Sequence, residues 1–168
     1  MNDALLLRAA RDADFAAIAA VINAAAEAYR GVIPADCWHE PYMGDDELAA
    51  EIAAGVCFSV LEQGGVIVAV MGSQDRGEVV LIRHAYVAPA AQRRGLGTRL
   101  LQHLRATTDR PVLIGTWAGA HWAIDFYRHH GFRVIAGAAK DTLLARFWTV
   151  PPRQATNSVV LAGTRYRA

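Results

Sequence analysis

A short basic loop rich in glycine has the clearest chemical potential in this sequence, Gln92-Arg93-Arg94-Gly95-Leu96-Gly97-Thr98. A predicted strand, residues 78–87, precedes it, and a predicted helix, residues 96–105, begins within it. The unpaired N–H groups at a helix start and the helix dipole both favour a bound anion. Gly95 and Gly97 let the backbone approach a ligand closely, because they carry no Cβ. The loop therefore predicts a binding site for a phosphorylated cofactor.

Two other phosphate-binding motifs are absent from this loop. A P-loop would read Gly-x-x-x-x-Gly-Lys-Ser/Thr, and no such run occurs here. A dinucleotide-binding fingerprint, Gly-x-Gly-x-x-Gly, would need a third glycine, and Leu100 stands at that position. The phosphate therefore belongs to a cofactor of another class.

Composition and charge limit the classes of protein that this chain can be. With 168 residues, of which 54% are hydrophobic, we expect a single globular domain over residues 1–168. The net charge of +1, from 17 basic and 16 acidic residues, argues against a nucleic-acid or membrane surface. Cys37 and Cys57 lack metal-ligand spacing, so we expect reduced thiols and no metal site. Since neither a signal peptide nor a membrane-spanning apolar run is recognisable, we expect a cytoplasmic location.

The elements around the loop predict an α/β protein with a central mixed sheet (an α+β arrangement), mostly antiparallel, with helices on both faces. The early strands, residues 56–61 and 66–71, are joined by a hairpin turn and so run antiparallel. The later strands connect through helices, which allows parallel pairing. The remaining predicted elements are a strand at 5–8, helices at 15–29, 47–54, 120–129 and 140–148, and strands at 112–116, 132–135 and 158–162.

Two motifs in this framework resemble those of a known family. The first, Tyr86-Val87-Ala88-Pro89 followed by the loop from Gln92 to Gly97, is similar to the acetyl-CoA motif of the GCN5-related N-acetyltransferases, the GNAT superfamily. The second, Ala123-x-x-Phe126-Tyr127-x-x-x-Gly131-Phe132, resembles another motif of that family. The resemblance covers residues 4–136 in element order and implies a GNAT-like acyl-CoA N-acyltransferase fold.

The resemblance also implies how the donor, acetyl-CoA, is held as a co-substrate. The loop backbone would bind the CoA pyrophosphate, and the strand before it would pair with the pantetheine arm where it splays from residues 112–116. The residues that this interpretation assigns to the cofactor are Ala85, Tyr86, Val87, Gln92, Arg93, Arg94, Gly95, Leu96, Gly97 and Thr98.

Among the catalytic residues that the resemblance implies, Tyr127 matches the family tyrosine that gives a hydrogen bond or proton to the CoA sulfur. A phenol suits this role, because its ordinary pKa of about 10 is near that of a thiol. The alternative is a core tyrosine that only packs beside Phe126 and Trp122.

The general base is less clear from the sequence. Many relatives carry a glutamate on the strand before the loop, where this chain has Leu81. His84 and Glu78 are the nearby candidates, and His121 is a third. The alternative for His84 is a buried, hydrogen-bonded histidine. The family asparagine that orients the cofactor is also missing, since Ala120 stands in its place.

The acceptor region implied by the resemblance is the segment between the first two helices, residues 32–44. Its residues Trp38, His39 and Glu40 could shape a small-molecule pocket, with Glu40 holding an ammonium group. Trp117 could form a further wall. The alternative is that the aromatic residues only anchor this segment on the core.

The sequence thus predicts an N-acetyltransferase that moves an acetyl group from acetyl-CoA to a primary amine by direct attack. We expect a small-molecule acceptor, no nucleic acid or membrane partner, and a homodimer, which is frequent among similar proteins. A non-catalytic acyl-CoA-binding or sensing module, and a protein lysine or N-terminal acetyltransferase, remain open as alternatives.

Overall fold

The computed structural model describes residues 4–168, in which seven strands form one sheet. The strands are β1 (Leu5–Ala9), β2 (Val56–Gln63), β3 (Val66–Asp75), β4 (Val80–Val87), β5 (Val112–Trp117), β6 (Arg133–Ile135) and β7 (Ser158–Ala162). Their order across the sheet is β1-β2-β3-β4-β5-β7-β6. The pairs β1–β2, β2–β3, β5–β7 and β6–β7 are antiparallel. The predicted mixed α/β fold with a mostly antiparallel sheet is therefore confirmed.

Six α-helices accompany the sheet in the described part of the chain. They are α1 (Phe15–Ala26), α2 (Asp45–Ala53), α3 (Leu96–Ala106), α4 (His121–His129), α5 (Gly137–Phe147) and α6 (Pro152–Thr156). No helix within residues 4–168 is both long and apolar enough to cross a membrane.

Most elements differ from their predicted bounds by one or more residues. Strand β3, not β4, is the longest, because its pairing with β2 continues until Gln74 lies opposite Val56. Helix α5 begins at Gly137, three residues before the predicted start. Pro151 caps helix α6 and Pro152 begins it, because the fixed φ angle of proline suits the first helical position.

The chain forms two compact units, and β4 contributes residues to both. The first unit comprises residues 4–28, Glu40–Asp75 and Ile82–Asp109. Helices α1 and α2 pack on β2 and β3 in its core, where Ile22, Leu48 and Val60 are fully buried. Val60 and its neighbour Leu61 point to opposite faces and are both buried, so both faces of β2 are covered. Helix α3 buries a row of leucines, Leu96, Leu100, Leu101 and Leu104.

The second unit comprises Tyr29–His39, Arg76–Leu81 and Arg110–Ala168. Its core joins β5 and β7 to α5 through side chains such as Leu113, Val160 and Leu144. The predicted last strand is confirmed as β7, and it lies between β5 and β6, pairing with both. The C-terminal segment therefore completes this part of the sheet.

Candidate active site

The burial of strand β4 changes along its length. Its first three residues, Val80, Leu81 and Ile82, are buried, and the next five are only partly buried. At this transition His84 has a φ angle of +54°, in the left-handed region that histidine rarely adopts. Such strain persists only where the surrounding structure imposes it, and it is frequent at functional sites. This makes His84 the first residue of the strand to consider for chemistry.

The left-handed residue brings two consecutive side chains to one carboxylate. In a regular strand, neighbours 83 and 84 would point to opposite faces of the sheet. Here the Arg83 Nη2 atom lies 2.5 Å from Glu51 Oε2, and His84 Nε2 lies 2.9 Å from the same oxygen. Glu51 belongs to helix α2, so this group, which we call the Glu51 cluster (Glu51, Arg83 and His84), joins α2 to β4.

Further hydrogen bonds hold the Glu51 cluster in place. Arg83 Nη1 donates to Gln74 Oε1 at 2.8 Å, and Gln74 Nε2 donates to the Ala54 carbonyl at 3.0 Å. The hydrogen bond from His84, together with the charge of Arg83, holds the pKa of Glu51 below its usual value in spite of partial burial. Glu51 is therefore ionised at neutral pH.

The contact with Glu51 also settles which nitrogen of His84 carries the proton. An ionised carboxylate can only accept a hydrogen bond, so Nε2–H is the donor and Nδ1 of the neutral ring keeps its lone pair. Nδ1 has no hydrogen-bond partner within residues 4–168. All fully buried side-chain nitrogens and oxygens in the described residues do have partners, so Nδ1 is open to solvent. A proton acceptor is thus exposed on β4.

The loop after β4 is held by backbone conformation. Gln92 Nε2 donates to the Val87 carbonyl at 3.2 Å, and both Arg93 and Gly95 have left-handed φ angles, +62° and +74°. A Cβ on Gly95 would meet no atom of the described residues within 4 Å, so within the protein glycine serves the left-handed angle. Gly95 is the N-cap of α3 and accepts the first helical hydrogen bond, from Arg99 N–H at 3.1 Å.

This arrangement places backbone N–H groups at the start of α3, where an anion could bind. The N–H groups of Leu96 and Gly97 lie ahead of that first helical hydrogen bond, at the positive end of the helix dipole. The side chains nearby are basic and exposed, with Arg94 Nη1 donating to Gln63 Oε1 at 3.0 Å. The loop can therefore hold a phosphate group through its backbone.

Tyr127 belongs to the second unit and lies on α4. Its ring is 4% exposed and makes edge-to-face contacts with Phe126 and Phe132, at centroid distances of 5.0 and 5.4 Å. Burial, and to a smaller extent the nearby Tyr29, raises the pKa of Tyr127 above its usual value. The hydroxyl is therefore protonated at neutral pH and able to donate a hydrogen bond, whereas the raised pKa removes the predicted match with the pKa of a thiol.

The other predicted catalytic residues have different surroundings. Glu78 is exposed in the turn before β4 and pairs with Arg146. His121 is exposed at the start of α4. Leu81 and Ala120, which replace the family glutamate and asparagine, are both fully buried. Neither position leaves a polar side chain at the site.

The predicted acceptor residues are divided between the two units. Trp38 is half-buried in the second unit, with the Arg30 guanidinium 4.6 Å from its ring centroid, and His39 beside it is exposed. Trp117 is buried at the end of β5 in the same unit. Glu40 is exposed and belongs to the first unit.

Glu51 is the functional candidate that the sequence analysis missed. It lies 33 positions from His84 on an amphipathic helix of ordinary appearance, and no local pattern connects the two. Among residues 4–168, no group of three or more histidine, cysteine, aspartate or glutamate side chains could hold a metal ion.

Comparisons with known proteins agree with this geometry. Residues 54–134 match the family model described as acetyltransferase (GNAT) domain. Among curated proteins, none matches the chain by sequence.

Solved structures with a similar fold include three acetyltransferases. The PaiA N-acetyltransferase of Thermoplasma acidophilum, in complex with coenzyme A, has a TM-score of 0.73 at 13% identity, over 97% of this chain and 99% of that one. The ribosomal-protein-S18-alanine N-acetyltransferase of Escherichia coli has a TM-score of 0.68 at 17% identity, over 98% and 96%. A GNAT family acetyltransferase of Brucella melitensis, in complex with acetyl-CoA, has a TM-score of 0.58 at 22% identity, over 79% and 84%.

These likenesses confirm the predicted GNAT-like fold. The matched domain confirms the predicted class of enzyme, an acyltransferase. Residues 54–134, just under half of the chain, match the acetyltransferase (GNAT) domain, which confirms the predicted resemblance to the GNAT superfamily.

Proposed function

We propose that this protein transfers an acetyl group from acetyl-CoA to the primary amine of a small-molecule acceptor. The observation that carries the proposal is the loop before α3, where left-handed Arg93 and Gly95 set the backbone N–H groups of the helix start toward an anion. We assign the CoA pyrophosphate to residues 92–98, and the pantetheine arm to the backbone of Ala85 and Val87. The similar structures in complex with coenzyme A or acetyl-CoA support this donor.

The chemistry that we propose is direct attack of the amine on the thioester. The acceptor ammonium first gives a proton to His84 Nδ1, and the free amine then forms a bond to the acetyl carbon. The C–S bond breaks, the leaving thiolate accepts a hydrogen bond from the Tyr127 hydroxyl, and the second proton lost by the amine nitrogen protonates the sulfur. Per turnover, acetyl-CoA and an ammonium become an amide, CoA thiol and one proton released to solvent.

We favour His84 over Glu78 as the base because of their partners. The Glu78 carboxylate is paired with the Arg146 guanidinium, whereas His84 presents an unpartnered nitrogen within residues 4–168. For the acceptor we propose Trp38, His39, Glu40 and Trp117 as binding residues. The carboxylate of Glu40 suits the ammonium group of the acceptor.

The test combines donor binding with turnover. Calorimetry with acetyl-CoA checks the donor site, and release of free CoA thiol over a panel of small amines checks transfer, with mass spectrometry identifying the acetylated product. Reactions without amine measure simple thioester hydrolysis. If acetyl-CoA does not bind and no amine supports thiol release, the proposal is wrong.

A non-catalytic acyl-CoA-binding module is the second candidate. It is favoured by Leu81 and Ala120, two buried apolar residues where many relatives carry polar ones. This candidate predicts binding of acetyl-CoA without turnover on any acceptor. Adding peptides with lysine or a free N-terminus to the panel tests the protein acetyltransferase alternative. The homodimer and the cytoplasmic location stay predictions.

A further inference from the structure

We propose that Glu51 is a positioning residue for His84, the general base proposed above. The inference rests on the acetyl transfer proposed above. Glu51 reaches the site from helix α2, and its Oε2 atom lies 2.9 Å from His84 Nε2. The carboxylate fixes the tautomer of the ring, so that Nδ1 faces the acceptor with its lone pair available.

The groups around His84 come from four elements. They are Glu51 from α2, the Phe58 ring from β2 at a centroid distance of 6.3 Å, Gln74 from β3 through Arg83, and Arg83 itself from β4. Arg83 and His84 share one oxygen of Glu51, so the arginine offsets the charge of the carboxylate while the imidazole is neutral. When Nδ1 takes a proton, the carboxylate stabilises the positive ring through the Nε2–H hydrogen bond.

A purely structural role does not account for this arrangement. Arg83 already ties Glu51 to β4, and Gln74 braces Arg83. His84 contacts the same carboxylate while it holds a left-handed φ angle, which few non-glycine residues adopt. The result is an imidazole ring that is held by a hydrogen bond at Nε2 and open at Nδ1, as a proton acceptor must be.

The proton balance follows from these contacts. The acceptor ammonium loses a proton to His84 Nδ1, while Nε2–H stays bonded to the ionised Glu51. After the amide has left, Nδ1 returns the proton to solvent. Glu51 touches neither substrate in this scheme, and it acts through the histidine.

Glu51→Gln tests the inference, because it keeps the shape of the side chain and removes its charge. We expect kcat to fall about 10- to 100-fold, with acetyl-CoA affinity unchanged, and the acid limb of the kcat/KM profile to move to lower pH. By ¹⁵N NMR, the His84 ring should also titrate at lower pH, because the positive ring loses its counter-charge. Glu51→Asp restores the charge and should recover part of both. Glu47→Gln, an exposed glutamate on the same helix, is the matched control.

The readouts separate the two proposals. If the His84 ring titrates at the same pH in the unchanged protein and in Glu51→Gln, the inference is wrong whether or not the protein turns over. If the titration moves as expected but no amine is acetylated, the proposed function fails and the coupling between Glu51 and His84 stands. Equal kcat in both proteins also overturns the inference.

Discussion

Two ionic clusters in the first unit are built from similar groups in opposite ways. The Arg8 cluster (Arg8, Asp14 and Glu62) surrounds one guanidinium with two carboxylates. The Glu51 cluster surrounds one carboxylate with a guanidinium and an imidazole. Both join a strand to a separate part of the chain through hydrogen bonds of 2.5–3.0 Å.

The clusters differ in whether a polar side-chain atom is left without a hydrogen-bond partner among the described residues. Arg8 donates all five of its N–H groups, to both carboxylates and to the Ala9 carbonyl. In the Glu51 cluster the Nδ1 atom of His84 has no partner in residues 4–168. A saturated network holds the fold together, whereas one that leaves a titratable atom open can exchange a proton with a ligand. We therefore expect changes to the Arg8 cluster to alter stability and changes to the Glu51 cluster to alter turnover.

The largest effect is expected from His84→Asn. Asparagine tolerates the left-handed angle of this position but cannot act as a general base at neutral pH. We expect kcat to fall at least about 100-fold with acetyl-CoA affinity and thermal stability little changed. His103→Asn, an exposed histidine on α3, should leave kcat as it is. A His84→Asn protein that is fully active would mean that Nδ1 of His84 takes no part in turnover. The Glu51 cluster would then have no catalytic role that sets it apart from the Arg8 cluster.

Donor binding should depend on the left-handed Gly95 that caps α3. Gly95→Ala must hold an unfavourable angle of +74° to keep the backbone N–H groups in place. That conformation costs about 1–2 kcal/mol for alanine, so we expect acetyl-CoA to bind about 5- to 30-fold more weakly by calorimetry. Gly44→Ala is the matched control, since Gly44 caps α2 at a φ angle of −74° with open space around it. Equal losses in both variants would show that the left-handed angle has no special part in binding.

The contrast between the clusters also explains what could be predicted from the sequence. The loop and the start of α3 are formed by neighbouring residues, so the spacing of the glycines is sufficient to predict them. The left-handed angle at His84 and its contact with Glu51 depend on tertiary structure. No local pattern in the sequence of β4 indicates either of them. The place of β7 between β5 and β6 is likewise a matter of long-range pairing, although the strand itself could be predicted.

Arg8→Met tests whether the Arg8 cluster stabilises the fold without contributing to turnover. The change leaves two carboxylates without their shared donor, so we expect the midpoint of thermal unfolding to fall by a few degrees. The kcat of the folded protein should not change. Arg76→Met, at an exposed arginine in a turn, controls for loss of a surface charge. A large fall in kcat with an unchanged unfolding midpoint would reverse the roles that we assign to the two clusters.

The smallest effect is the pH dependence of the Arg8 cluster. Hydrogen bonds from Arg8, and from the Arg11 N–H, lower the pKa of Asp14 to about 2. Because the unfolded chain binds this proton more tightly, the stabilisation by Asp14 is complete above about pH 4 and is lost as the pH falls toward 2. In urea unfolding, the difference in midpoint between the unchanged protein and Asp14→Asn should be constant from pH 7 to 5 and shrink from pH 4 to 2. A difference that stays constant down to pH 2 would mean that Asp14 is not held by Arg8 in solution, and the cluster would not be saturated as described.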